Sequence, residues 1–245
     1  MKKRLSHIVL ILICILALCS CVKSNDTDKG AESGNSVSKT VNKAEKEVTK
    51  EEQKNVSLVE SGYSIKDDGY GNVYVYYGAT VNNPNKKNVA SFPSIIITAK
   101  DQAGTIVGTN EQMLYSIAPE DTVSFGGLVS CNGAVPATVE ITANCSKFDY
   151  QEAGSVINTS TMQISNTSEI ADDFGTNYTG EIENTGEQNI SSAAVTVILK
   201  NNGAVVYGDT TYVNDLTAGS KKAFQLSTYD VPEHTEFILS AQAWQ

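Results

Sequence analysis

The sequence is poor in cationic and imidazole side chains. Its only arginine is Arg4, its only histidines are His7 and His234, and 18 Lys+Arg stand against 28 Asp+Glu for a net charge of -10. Nucleic-acid binding requires clustered cations that neutralise phosphates, so this composition argues against it. If residues 1–20 are a removed signal, the chain has no arginine and one histidine, which excludes a metal site built on several histidines and a bidentate arginine clamp on phosphate.

The chain also lacks the common catalytic motifs. It has no Gly-x-Ser-x-Gly motif, no phosphate-binding loop and no zinc signature. His234 has no second histidine with which to form a metal pair, and the neighbouring Glu233 and Glu236 form no triad with a serine carried by a motif. We therefore expect a protein that is not an enzyme, and the sequence does not identify a specific ligand.

The N-terminus has the pattern of a secretory signal. Residues 1–4 are positively charged, and residues 8–18 form an apolar run of 11 residues, shorter than the ~20 that a membrane-spanning helix needs. The segment Leu18-Cys19-Ser20-Cys21 resembles the lipobox of bacterial lipoproteins. The resemblance implies cleavage after Ser20, a diacylglycerol group on Cys21, and a mature protein anchored by lipid to the extracellular face of the cell membrane. The alternative is an uncleaved N-terminal anchor with incidental cysteines.

Residues 21–56 predict a spacer. They are rich in Lys, Glu, Asp, Ser, Asn and Thr, carry as many lysines as acidic residues, and have too few large apolar side chains to fold. We expect a solvated, partly helical stalk with a mean reach of roughly 30–35 Å. Because the spacer is neutral, the charge of the mature chain falls on residues 57–245, which hold 8 Lys against 21 acidic residues.

Residues 57–245 repeat themselves with a period near 100. Tyr77–Asn83 recurs as Tyr178–Asn184, and Ser94–Lys100 recurs as Ala193–Leu199. Repeats of this length are typical of tandem domains rather than of a solenoid. We therefore predict one domain over 57–148 and a second over 149–245.

Each half has the pattern of a β-sandwich. Val73–Tyr77 is β-branched and aromatic, and Ile95–Thr98 is a continuous apolar run, as expected of a strand that is buried on both faces. Asn202-Gly203 predicts a hairpin turn because both residues accept a positive φ. Short strands at this spacing, about six or seven per half, predict an all-β fold of two tandem immunoglobulin-like β-sandwiches.

One family resemblance covers most of 73–145 and 177–243. The second half carries Phe224-Gln-Leu226-Ser-Thr-Tyr229-Asp230, which is similar to the signature of the FxLYD-type immunoglobulin-like domain of bacterial surface lipoproteins. The first half keeps Phe125 but continues with Gly126-Gly-Leu128. The resemblance implies a sandwich on the cell surface and no particular reaction.

Two groups of side chains are candidate binding residues. The paired carboxylates Asp67-Asp68 and Asp172-Asp173 stand in Gly- and Asn-containing loops, where their oxygens suit Ca²⁺; the alternative is that they cap turns. Tyr74 and Tyr76 share one face of a strand and suit stacking on sugar rings, or they are ordinary core and surface tyrosines.

Cys131 and Cys145 are the only cysteines beyond residue 21. An extracellular location permits a disulfide between them. If residues 132–137 turn a hairpin, however, the two residues are separated by over ~20 Å, and two buried free thiols are the alternative. Trp244 is either a core residue or a ligand platform.

These features together predict a membrane-anchored surface lipoprotein with a non-catalytic interaction or structural role in the envelope. The alternative is a module that binds glycans or the cell wall. A hydrolase is least favoured because neither half has an activated nucleophile with a base. The expected partners are the membrane, through the lipid, and an envelope protein or glycan. No cofactor is expected unless the aspartate pairs bind Ca²⁺.

Overall fold

The computed structural model describes residues 52–244. The predicted signal peptide, Cys21 and most of the spacer therefore lie outside the described residues. The described chain is all-β and of the sandwich type, with fifteen strands and one 3₁₀ helix, Thr159–Thr161. The first half contains β1 (Ser57–Asp67), β2 (Val73–Asn82), β3 (Asn88–Ser91), β4 (Ser94–Lys100), β5 (Ile106–Met113), β6 (Ser116–Ile117), β7 (Thr122–Ser130), β8 (Thr138–Asn144) and β9 (Tyr150–Glu152). The second half contains β10 (Met162–Asp172), β11 (Gly175–Asn184), β12 (Ile190–Asn201), β13 (Ala204–Leu216), β14 (Lys221–Thr228) and β15 (Glu236–Ala243).

The two halves share one topology. In the first half, the sheet of order β1-β2-β7 packs against the sheet of order β5-β4-β8. In each half we call the sheet that faces the other half the inner sheet, here β1-β2-β7, and the remaining one the outer sheet. In the second half, an outer sheet of order β10-β11-β14 packs against an inner sheet of order β13-β12-β15. All pairings are antiparallel, and equivalent residues pair equivalently: Ala79 lies opposite Phe125, as Gly180 lies opposite Phe224.

The first half has a third, smaller sheet of order β6-β3-β9. Its strand β9 follows the predicted boundary between residues 148 and 149, and it pairs with β3 through Asn88–Ala90. The chain therefore completes the first half only at residue 152. All described residues belong to one compact unit.

The two inner sheets face each other, so that the molecule has four layers of strands. Strand β13 packs against β1, β2 and β7, and β12 packs against β7. Hydrogen bonds cross this contact: the Thr196 hydroxyl and the Gln242 side-chain N–H both donate to the carbonyl of Ser124, at 3.1 and 3.0 Å. An ion pair of 2.7 Å joins Lys200 to Glu60 at its edge.

Whether an apolar strand is buried on both faces depends on whether its sheet is an inner or an outer layer. The prediction for Ile95–Thr98 is wrong: Ile95 and Ile97 face the core, whereas Ile96 and Thr98 are only half-buried, because β4 belongs to an outer sheet. The equivalent strand β12 lies in an inner sheet, and every residue from Ala194 to Leu199 is buried. Its even-numbered side chains face the first half, and its odd-numbered side chains face the core of the second half.

Glycines make the close approach of the two inner sheets possible. Gly62, Gly78 and Gly126 lie side by side across β1, β2 and β7. Gly78 and Gly126 face Gly208 of β13, and Gly62 faces Val205 of the same strand. A Cβ atom on Gly208 would lie 2.7 Å from the Cα of Gly78, and one on Gly126 would overlap the backbone of Gly208. Backbone therefore packs directly on backbone at this point.

The predicted hairpin turn at Asn202-Gly203 is confirmed. The two residues connect β12 and β13 with φ values of 50° and 82°, the combination that a two-residue hairpin of type I′ requires. The turn pairs Asn201 with Ala204, and an irregularity between Leu199 and Lys200 then shifts the register of the rest of the hairpin.

Candidate functional site

A cleft of about 340 Å³ lies where the two halves meet. The small sheet of the first half lines one side, residues 154–157 cross from one half to the other along it, and Gln188 and Ala243 of the second half close it. Aromatic and aliphatic side chains share its lining with amides and hydroxyls: Val89, Phe92, Tyr115, Ile157, Gln151 and Gln188. The lining also includes the Glu152 carboxylate and three serines, so that polar and apolar groups contribute about equally to it.

Phe92 is the most unusual residue of the cleft. Its φ is 51°, a conformation that bulky residues rarely adopt, and half of its side chain is exposed. The Phe92 N–H donates to the carbonyl of Tyr115 at 2.9 Å, and the two rings meet edge to face at 5.8 Å. The surrounding hydrogen bonds hold a strained backbone that presents an aromatic ring to the cleft, an arrangement that clusters at binding sites.

The predicted aspartate pairs lie in equivalent hairpins. Asp68 accepts hydrogen bonds from the N–H groups of Tyr70 and Asn72 at 2.8 and 3.0 Å, and from the Asn72 side chain at 2.6 Å. The Asn72 side chain first, and the Tyr70 N–H second, lower the pKa of Asp68. Asp67 likewise accepts from the N–H of Gly69 at 2.8 Å.

The second pair follows the same pattern. Asp172 accepts from the N–H groups of Phe174 and Gly175 at 2.8 and 3.0 Å, and Asp173 lies beside it in the turn between β10 and β11. The carboxylates of Asp67, Asp68 and Asp172 cap turns, in agreement with the alternative interpretation. Within residues 52–244, no group of three or more His, Cys, Asp or Glu side chains is placed to hold a metal ion. Calcium binding stays a prediction.

The predicted tyrosine pair lies beside the contact between the halves. Tyr76 stacks on Tyr207 of β13 with ring centroids 5.2 Å apart, and Tyr74 lies 6.4 Å from Tyr76. Burial first, and the Asp209 carboxylate second, raise the pKa of Tyr76. One face of the Tyr76 ring is therefore occupied by the second half, and ligand binding by this pair stays a prediction.

Cys131 and Cys145 are free thiols, as in the alternative to a disulfide. Both are buried, and burial raises the pKa of each. Residues 132–137 form no hairpin: they cross from β7 of the inner sheet to β8 of the outer sheet. The Cys145 thiol donates to the carbonyl of Ser91 at 3.5 Å.

Trp244 is a packing residue. It follows the last strand of the second half, yet it packs against the core of the first half, with its ring 5.6 Å from that of Phe125. A second contact of 5.6 Å joins it to Tyr212. Trp244 therefore helps to hold the two halves together.

Sequence reasoning missed a partner for His234. The Glu169 carboxylate lies 2.7 Å from its Nε2, and the Tyr178 hydroxyl donates to the same carboxylate oxygen at 3.0 Å. Burial first, and Glu169 second, raise the pKa of Tyr178. The Nδ1 atom of His234 lies 2.9 Å from the carbonyl of Pro232. The cluster fixes the loop before β15 against β10. No local pattern predicts it because Glu169 and His234 are 65 residues apart.

A scan against protein-family models matches no family, and a search of curated proteins gives no similar sequence. The lipobox and the FxLYD resemblance therefore stay predictions. No helix among residues 52–244 is long and apolar enough to cross a membrane.

Proposed function

We propose that the protein is a lipid-anchored protein of a bacterial envelope that binds another envelope component and catalyses no reaction. The cleft at the junction carries this proposal, because two sandwiches held in fixed register create a site that neither half has alone. The lipobox at residues 18–21 supports the anchor.

Acylation has a direct test with a matched control. We expect the protein, expressed in a bacterium supplied with labelled palmitate, to carry the label and to fractionate with membranes. Cys21→Ser removes the acceptor thiol and abolishes both, whereas Cys19→Ser, two residues earlier, leaves both intact. Label that persists in Cys21→Ser would contradict a lipid anchor at this residue.

Binding through the cleft has its own test. We expect the purified mature protein to cosediment saturably with isolated cell envelopes, and Phe92→Ala to weaken the binding about tenfold or more, because a buried aromatic contact contributes 1–2 kcal/mol or more. Phe174→Ala is the matched control, since Phe174 is also exposed but lies in the hairpin after β10. Equal binding by both variants would contradict the assignment of the cleft.

A glycan is the second candidate for the bound component. The edge-to-face pair Phe92–Tyr115 beside Gln151 and Gln188 favours it, because sugar rings stack on aromatic rings and their hydroxyls pair with amides. Soluble wall-glycan fragments then compete for envelope binding, and protease treatment of the envelopes leaves the binding unchanged. Loss of binding after protease treatment points to a protein partner instead.

A further inference from the structure

The start of the described chain is fixed to one end of the first half. The Gln53 side chain donates to the carbonyl of Lys147 at 3.2 Å. The Lys54 N–H donates to the Asn85 side chain at 2.8 Å, and the Asn85 amide donates back to the carbonyl of Lys54 at 2.8 Å. Residues 52–55 therefore lie between the loops 84–87 and 145–149. We call these three segments the entry face, because the chain from residue 21 enters the folded unit here.

The entry face differs in charge from the rest of the molecule. It carries four lysines, Lys54, Lys86, Lys87 and Lys147, against the carboxylates Glu52 and Asp149. The remainder of residues 52–244 carries five lysines against twenty acidic residues. Glu120 of the remainder borders this face, because its N–H donates to the carbonyl of Asn85 at 3.1 Å. With Glu120 included, four lysines still stand against three carboxylates, so the entry face is a weakly cationic end on a strongly anionic body.

The lysines of the entry face also differ in their partners. Four of the five other lysines form ion pairs, namely Lys66 with Asp230, Lys100 with Glu140, Lys200 with Glu60, and Lys221 with Glu181 and Glu183. Lys222 donates to the carbonyl of Asn214. Among residues 52–244, no carboxylate forms an ion pair with the four lysines of the entry face. Their charge is available to an external anion.

An exposed aromatic ring stands among these lysines. Phe148 is 81% exposed, and the Lys147 ammonium lies 5.0 Å from the centre of its ring. The Gln53 contact places this pair directly beside the entering chain. Aromatic rings and lysines are the side chains that favour the boundary between lipid headgroups and acyl chains.

We propose that the entry face rests on an anionic lipid surface, with Phe148 inserted among the headgroups and the four lysines against their phosphates. This inference rests on the proposed function, in which the acyl chains of Cys21 occupy the same bilayer. The entry face is the part of the described chain that lies nearest in sequence to Cys21. The anionic remainder is repelled by the same lipids, so that the molecule stands on this end.

Depth-dependent quenching tests the contact. The mature, acylated protein is placed in vesicles of phosphatidylglycerol and brominated phosphatidylcholine, with either Phe148→Trp or Phe174→Trp. The two positions are matched in exposure, at 81% and 84%, and the unsubstituted protein gives the background from Trp244. We expect Phe148→Trp fluorescence to fall by about half, since an interfacial side chain lies within ~5–10 Å of the acyl boundary. Phe174→Trp is unchanged.

The experiment tests the contact with anionic lipid and the acyl anchor separately. Vesicles without phosphatidylglycerol, or added salt, reduce the quenching of Phe148→Trp, because both weaken the attraction of the lysines. Equal quenching of the two variants, or quenching of Phe148→Trp that does not depend on lipid charge, overturns the proposed contact of the entry face with anionic lipid. Neither result affects the proposed acylation of Cys21. If mass spectrometry shows no acyl group on the mature chain, the proposed function fails instead. An N-terminal histidine tag on nickel-chelating lipid then replaces the anchor, and the same comparison still decides whether the entry face contacts lipid.

Discussion

At the scale of single residues, two buried asparagines account for the repeat of Tyr77–Asn83 as Tyr178–Asn184. The Asn83 side chain donates to the carbonyls of Asn88 and Ile117, and the Asn184 side chain donates to those of Gln188 and Leu216. Each amide thus satisfies carbonyls of the segments that connect the two sheets of its half. The asparagine recurs because in both halves the same buried carbonyl positions need a hydrogen-bond donor.

Replacement of one such asparagine gives a direct prediction. Asn184→Ala removes three side-chain hydrogen bonds, those to the carbonyls of Gln188 and Leu216 and that from the N–H of Gly186, so we expect a loss of about 2–4 kcal/mol of unfolding free energy, measured by denaturant titration. Asn177→Ala is the control, because the hydrogen bonds of Asn177 are at the surface, and we expect a loss below about 1 kcal/mol. Similar losses from both would show that burial of Asn184 is not what matters.

The roles of single residues could be predicted only where they depend on near neighbours. Asp68 caps a turn formed by the four residues that follow it, and the sequence supplied that alternative. Tyr76 stacks on Tyr207, 131 positions later in the chain, and no local pattern indicates a partner so distant. Glu169 and His234 are 65 positions apart, and their contact is likewise not indicated by any local pattern.

At the scale of strands and sheets, periodicity predicted the elements well and their layers less well. Alternating apolar residues in β2 and β14 face the cores, as a period of two requires. The apolar runs of β4 and β12 look alike in sequence, yet only β12 is covered on both faces. The difference depends on which sheet of each half meets the other half, which neither strand encodes by itself.

The neighbouring glycines Gly62, Gly78 and Gly126 of the first inner sheet lead to a prediction about the packing of the two inner sheets. A methyl group on Gly126 overlaps the backbone of Gly208, so Gly126→Ala requires the two sheets to separate. We expect a loss of about 3 kcal/mol or more of unfolding free energy, measured by denaturant titration.

Gly154→Ala is the matched control for this substitution. No heavy atom lies within 4 Å of a Cβ built on Gly154, and its φ is not positive. We expect a change within about 0.5 kcal/mol, or a small gain from the stiffer unfolded chain. An unchanged stability in Gly126→Ala would mean that the close approach of the sheets contributes little.

At the scale of the whole molecule, the cleft is the feature that could least be predicted from the sequence. Phe92, Ile157 and Gln188 come from the first half, the connecting segment and the second half. Their types are ordinary, and only the packing of the halves brings them together. Tyr74 and Tyr76, which the sequence offers as candidates for sugar binding, lie beside the contact between the halves. The cleft therefore exists only if the halves form a single body.

Differential scanning calorimetry of the mature chain tests directly whether the halves form that single body. Because β12, β13 and β15 pack on the inner sheet of the first half, we expect one unfolding transition, with equal calorimetric and van't Hoff enthalpies. Two resolved transitions, each with about half of the total enthalpy, would contradict the single body and with it the binding cleft at the junction.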